Sequence, residues 1–308
     1  MKHPFPIQPE LTAIAIAYRN KRLIADQVLP RVPVGKEEFK YLKHTLSEGF
    51  TLPDTKVGRR SKPNEVEFTA TEVTDSTQDY GLDDPIPMAD IKNAPPNYDP
   101  EGRSVEGITD LILLDREVRT AGLVFDANNY GASNKVTLSG TDQFSDFANS
   151  DPLGVLMDSL DSMIMRANIM VIGRAAFSSL ARHPTIVKAV HGNAGDSGVA
   201  RRQDIADLLE LEEVLVGEAL LNTAKKGQAV SMSRVWGKHI SLMHQDKNAD
   251  TRKGATFGFT AQFGGRVAGS TPDQNIGLRG GKRVRVGESV KELLTANDLG
   301  YFIQNAVA

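Results

Sequence analysis

A long apolar helical stripe that runs straight into a fully apolar strand leaves a chain few ways to fold, and residues 151–173 are such a stretch. Apolar residues fall at Leu153, Leu156, Met157, Leu160, Met163, Ile164 and Ala167, which is one unbroken face at helical spacing. Asp151 is placed to accept hydrogen bonds from the open amides of the first turn. Pro152 suits the first helical position, where its missing N–H would be unpaired anyway. The pattern predicts a spine helix over 151–167, about 25 Å long, with Leu153, Leu156, Leu160, Met163 and Ile164 as its core face. From Asn168 the chain changes to Ile169-Met170-Val171-Ile172, closed by Gly173, the signature of a strand covered on both faces. A spine joining two lobes of an α+β protein is the expectation.

Its 308 residues and 40% hydrophobic content suffice for one elaborated domain or two. With no cysteine, disulfides, thiolate metal sites and cysteine nucleophiles are excluded, and a cytoplasmic place of synthesis is expected. The apolar runs fall short of the roughly 20 residues that cross a bilayer, and no basic start precedes an apolar leader, so neither membrane insertion nor export is expected. A net charge of −3 argues against a dedicated nucleic-acid binder.

Residues 1–35 contain five prolines around one amphipathic piece, Leu11 to Leu29, and read as an arm that needs a surface to lie on. Its net charge is +3, and Arg19, Lys21 and Arg22 make it the expected DNA-facing element. Residues 36–99 read as a long polar hairpin and its stem, with extended runs from Glu38 to Leu46 and from Glu65 to Thr74. In the second run Val66, Phe68 and Ala70 alternate with polar residues. The tip concentrates Lys56, Arg59, Arg60 and Lys62. The stem and its continuation carry Glu72, Asp75, Asp79, Asp83, Asp84 and Asp90 with no base among them. So long an excursion is rare in a compact domain unless it packs on something else. The tip is expected to meet acids of another copy, Asp79, Asp83 and Asp84 in particular.

A second helix is predicted over 104–129, beside the spine. Short helices are predicted over Arg174–Ala181, Thr185–His191 and Gln203–Leu211, with a Gly-rich loop over 192–202 and strands over Glu213–Ala219 and Lys238–His244. The ordered set Thr137-Leu-Ser-Gly-Thr-Asp-Gln-Phe-Ser-Asp, Ser150-Asp-Pro, spine, Asn168-Ile-Met-Val-Ile-Gly, Leu180-Ala-Arg-His-Pro, Asp207-Leu-Leu and Val214-Leu-Val-Gly-Glu-Ala resembles major capsid proteins of tailed phages. The closing segments Arg283-Val-Arg-Val, Leu293-Leu-Thr-Ala and Asp298-Leu-Gly-Tyr-Phe-Ile-Gln-Asn-Ala-Val continue it.

The resemblance implies the Hong Kong 97-type fold. Residues 1–35 would be the N-terminal arm, 36–99 the E-loop hairpin and its stem, and 100–169 the P-domain with the spine. Residues 170–280 would be the A-domain, and 281–308 strands returning to the P-domain. It further implies pentamers and hexamers of an icosahedral shell around double-stranded DNA, assembled in the bacterial host cytoplasm. A portal and a minor or decoration capsid protein would be partners, DNA contact would be weak, and no membrane is involved. Some family members carry an N-terminal scaffolding domain that a protease removes. Here about 100 residues precede the first P-domain helix, so a separate scaffolding protein is expected. An encapsulin-like compartment shell is the alternative.

A hydrolase using His239, His244 and Asp246 is the remote alternative, and no catalytic residue, metal or cofactor is expected. Asp246-Lys-Asn248-Ala-Asp250 approximates a calcium loop, but Thr251 stands where the turn needs Gly and Phe257 where the bidentate acid belongs. His239 and His244, five apart on a strand, fall on opposite faces. Gly277-Leu-Arg-Gly-Gly-Lys is only loosely a phosphate loop and reads better as a turn between strands.

Overall fold

In the computed structural model, which describes residues 5–44, 52–65, 70–192, 198–225 and 227–308, the arm forms two helices and a strand. These are α1 (Pro9–Ala17), α2 (Ala25–Val28) and β1 (Arg31–Val34). The single amphipathic piece expected over 11–29 is therefore broken. Asn20 breaks it by accepting from the Arg22 amide and donating to Asp110 at 2.7 Å, which favours a turn over helix continuation. The hairpin follows as β2 (Glu38–His44) and β3 (Ala70–Ser76), antiparallel in the register Glu38↔Ser76 to His44↔Ala70. Its expected alternation at Val66 and Phe68 lies outside the described residues. Next come β4 (Gln78–Pro87), α3 (Met88–Lys92) and α4 (Pro100–Val124).

Beyond α4 the chain forms β5 (Lys135–Thr137), α5 (Pro152–Asp161), β6 (Ile169–Gly173), α6 (Arg174–Leu180), α7 (Pro184–His191) and α8 (Arg202–Leu208). It continues through β7 (Glu213–Gly217), β8 (Leu220–Asn222), β9 (Met232–Arg234) and β10 (Ile240–Met243). A long hairpin, β11 (Gly258–Asp273) and β12 (Gly281–Leu294), precedes the last strand, β13 (Gly300–Gln304). The Gly277 segment is the turn of that hairpin, with positive φ at Gly277 (59°) and Gly280 (68°).

Two sheets organise these elements. The first has the order β1-β11-β12-β4, the second β5-β13-β10-β6-β7. Along β12 the even positions Val284, Val286, Glu288 and Val290 are buried beneath the helices. The odd positions Arg283 and Arg285 face outward, as the two-residue period of a strand requires. At its far end that outer face is covered by the hairpin base, where Phe39 and Tyr41 pack on Phe259, Ala261 and Leu293. The arm closes the free edge of β11 in two pieces. β1 pairs with residues 260–263, and past the irregularity between Phe263 and Val267 the Gln8 amide donates to the Ala268 carbonyl at 3.0 Å. Thr12 Oγ1 accepts from the Ala268 N–H and donates to the Ala268 carbonyl, each at 3.1 Å.

The spine is not where the apolar stripe placed it. Asp151 does cap α5, accepting from the Gly154 amide, and Pro152 opens it, but the helix stops at Asp161 after 10 residues. Ser159 Oγ bonds the Val155 carbonyl and Ser162 Oγ the Ser159 carbonyl, so hydroxyls compete for the ladder at the end of the helix. Leu156, Leu160 and Met163 are buried and Leu153 half-buried. Ile164, beyond the helix end, is 46% exposed instead of joining the core face.

The rod that crosses the molecule is α4, 25 residues or about 37 Å, started by Asp99 accepting from the Glu101 amide and by Pro100. Its N-terminal half, with Val105, Ile108 and Ile112, packs on the first sheet and α1. Its C-terminal end, with Ala121 and Val124, packs in a core with Ile169, Val171, Leu215, Trp236 and Phe302 of the second lobe. α5 does not lie beside it but belongs to the opposite core of the second sheet, with Met170, Ile172 and Ile240. The expected domain limits shift accordingly. The second sheet takes in β5 and α5 from the segment 100–169. β11 belongs to the first sheet, and the final strand β13 returns to the second, pairing with β10 at Ile240↔Ile303.

Candidate assembly surfaces

The hairpin tip is held in shape by its own polar groups. Asp54 accepts from the Lys56 amide at 2.9 Å, Asn64 Nδ2 donates to the Asp54 carbonyl at 2.7 Å, and the Ser61 amide closes a turn onto Gly58. Lys56, Arg59, Arg60 and Lys62 are all exposed, and none forms an ion pair among the described residues. Two apolar side chains stand beside them, Leu52 at 90% exposure and Val57 at 47%.

The acidic run does not form one matching surface. Asp83 and Asp84 are adjacent on β4 and so point to opposite faces of the sheet. Asp84 turns toward α4 and accepts from Ser104 Oγ at 2.6 Å. Asp83 lies on the outer face in a two-pronged pair with Arg285, at 2.6 and 2.7 Å, and those hydrogen bonds hold its carboxyl below the usual range. Lys40 pairs with Glu72, and Lys291 lies 3.7 Å from Asp75. Cross-strand partners from β2 and β12 thus neutralise much of a run that looked unpaired in sequence, where strand register is invisible. Asp79 stays exposed. It borders a trough of about 740 Å³ on the outer face, where Gly81 and Gly287 face each other across β4 and β12 and Phe263, Val267 and Arg285 line the walls.

Arg19, Lys21 and Arg22 are exposed in the turn between α1 and α2, beside a cleft of about 310 Å³. The arm's Lys2 lies outside the described residues, as does the stretch 193–197 of the Gly-rich loop. Sequence inspection missed the charges that fasten the arm. Arg31 bonds Asp26 at 2.7 Å and Glu288 at 2.8 Å. Glu288 also accepts from Arg266 at 2.9 Å, and Arg116, fully buried on α4, pairs with Asp26 and donates to the Leu29 carbonyl at 3.0 Å. Burial alone would raise Asp26, but Arg116 and Arg31 outweigh it and lower its pKa to about 2. Burial likewise acts against Glu288, and Arg31 and Arg266 overcome it, leaving its carboxyl below the ordinary range. The signal that could have found this cluster is charge on the buried face of a strand and a helix: Glu288 and Glu292 in step with the valines of β12, and Arg116 in step with Ile112.

His239, His244 and Asp246 do not converge. His239 Nδ1 accepts from the Asn305 amide at 3.0 Å, the His244 ring meets the Arg166 carbonyl at 3.1 Å, and Asp246 caps its own turn at Asn248.

No protein-family model matches the chain. A major capsid protein of Pseudomonas phage JBD67 is 63% identical over 305 residues, covering 99% of this chain and 98% of that protein. The chain belongs to the major capsid proteins of tailed phages. A crystal structure of a phage-related protein from Bordetella bronchiseptica RB50 matches 99% of this chain and 98% of its own, at a TM-score of 0.76 and 25% identity. The capsid structure of the cyanophage P-SCSP1u matches 94% of this chain and 89% of its own, with a TM-score of 0.60 at 9% identity. The major capsid protein described here shares the Hong Kong 97-type fold with such neighbours although little sequence is shared with the cyanophage protein.

Proposed function

We propose that the subunit builds an icosahedral shell of pentamers and hexamers around double-stranded DNA, and that each hairpin tip is fastened over a neighbouring copy. The carrying observation is that the hairpin buries its base on its own first sheet yet exposes residues 52–65 of its tip, where four bases without an ion pair among the described residues stand beside Leu52 and Val57. The complementary surface on the neighbour is the trough beside Asp79, which offers a carboxylate without an ion pair among the described residues and apolar walls at Phe263 and Val267. Asp83 and Asp84 contribute only insofar as their partners inside the chain release them. The encapsulin-like alternative has the same fold, and near-complete coverage by a phage capsid relative favours the virion.

The finer assignments rest on this reading. Arg19, Lys21 and Arg22 face the packaged DNA and bind it weakly, supported by their exposure in one turn. A separate scaffolding protein, a portal and a minor or decoration protein complete assembly in the host cytoplasm. An exposed ion pair contributes only about 0–1 kcal/mol, so the tip's charge acts through its repetition around the shell. Replacing Arg59 and Arg60 by Glu should leave the fold and melting of free subunits unchanged and raise the protein concentration needed for assembly severalfold at low salt. The effect should fade as salt screens it. Light scattering of assembling subunits reads this directly. Assembly at the wild-type concentration in low salt would overturn the role given to the tip.

A further inference from the structure

One buried carboxylate holds three parts of the molecule at once. Glu117, on α4, is fully buried. Its Oε1 accepts from the Ile24 amide at 3.0 Å and from Trp236 Nε1 at 2.5 Å, and its Oε2 accepts from the Ala25 amide at 2.8 Å. Ile24 and Ala25 are where the arm enters α2. Trp236 lies on the link between β9 and β10, at the second sheet. The indole is itself closely seated: it packs on Gly217 of β7, where a Cβ would stand 2.1 Å from its Cγ, and meets the Phe125 ring edge-on at 5.3 Å. A second tie runs in parallel, since Gln245 Nε2, just past β10, donates to the Gln27 and Val28 carbonyls at 2.9 and 3.1 Å. A few residues further on, the same arm segment joins the first sheet through β1 and the Arg31–Glu288 pair. The segment 24–34 therefore touches both sheets.

We propose that Glu117 is a joint that relays the seating of the arm to the second sheet, so that the arm and the Trp236 link are ordered or loosened together. The physical reason is shared acceptance. A buried carboxylate at the floor of the cleft beside Arg19 keeps its position only while its donors surround it, and losing one leaves the others bonding to a group free to move or recruit water. Coupling of this kind is reciprocal, so a disturbance at either end must register at the other.

Trp236 is the sole tryptophan, so its fluorescence reports the sheet end alone. Amide hydrogen exchange over residues 23–29 reports the arm end. Trp236→Phe, which keeps an aromatic ring but removes the donor together with part of the buried ring system, should speed exchange over 23–29 about tenfold while residues 282–290 of β12 keep wild-type protection. Arg31→Gln, which touches neither Glu117 nor Trp236, should loosen the arm and raise quenching of Trp236 by acrylamide severalfold. Glu117→Gln should do both. Because that last variant risks misfolding, the first two decide the matter. If Trp236→Phe leaves exchange at 23–29 unchanged, or Arg31→Gln frees the arm without altering Trp236 quenching, the joint does not exist. A uniform rise in exchange, 282–290 included, would mean general destabilisation and would equally overturn it.

Discussion

Replacing Glu288 by Gln tests whether the arm is held by charge. Glu288 has no solvent exposure at its side chain and accepts three N–H bonds, two from Arg31 at 2.8 and 3.2 Å and one from Arg266 at 2.9 Å. The amide has nearly the same shape but no charge, and its NH₂ would face a guanidinium. Buried Arg266 and half-buried Arg31 would then lose a shared counter-ion. Breaking a buried pair from one side costs about 3–5 kcal/mol, against a domain stability of about 5–15 kcal/mol. For a chain of this size that is a fall in Tm on the order of 10 °C. Circular dichroism melting of free subunits at pH 7 reads it.

The pH dependence supplies a second, signed test. Glu288 and Asp26 both have folded pKa values below their unfolded ones, Asp26 at about 2. Their stabilisation is therefore present above the ordinary carboxylate range near 4 and is lost as pH falls toward about 2. Wild type should lose melting temperature across that window, and Glu288→Gln should lose less, since one of the two groups is gone. A variant melting within about 2 °C of wild type at pH 7, with an unchanged acid slope, would refute the charge-held arm.

Other outcomes follow from burial and close packing. Leu160→Ala should cost about 2–5 kcal/mol and Ile164→Ala within about 0.5 kcal/mol, because only the first side chain lies in the core; equal losses in urea unfolding would restore the longer helix. Ile112→Pro, mid-way along α4, should cost about 3 kcal/mol or more and deplete soluble subunits. Gly217→Ala would drive a Cβ into the Trp236 ring and should cost about 1–3 kcal/mol while shifting indole emission; unaltered emission would contradict the packing described.

What the sequence made legible were features whose period matches a single environment. Ile169 to Ile172 reads as a buried strand because both its faces are covered, and Asp151-Pro152 reads as a helix start because capping is local chemistry. The long α4 was harder to rank as the spine because it is covered from several sides by different partners. Arg116, Glu117, Thr109 and Thr120 sit among its buried positions and blur the apolar stripe. Conversely, α5 carries a clean stripe that ends in the chain's favour only as far as Asp161. The tip's basic cluster was legible as a composition, and its exposure agrees. Which acids are free was not, because Asp83 and Arg285 are 202 residues apart and meet only through the register of β4 on β12.

The two-piece closure of the β11 edge by the arm carries a consequence for solubility. An open strand edge is a template for any other chain with a strand to add, and natural proteins cover, charge or twist such edges to avoid indiscriminate polymerisation. Here one continuous stretch does the covering, at Ala268 through Gln8 and Thr12 and at residues 260–263 through β1, with the turn pinned by Asn20 lying between the two contacts. A newly made subunit shields the edge as soon as its first 34 residues find β11, which is synthesised more than 200 residues later. Until the arm docks, a bare edge is available to other copies still folding, and fibrous mispairing between subunits competes with correct closure.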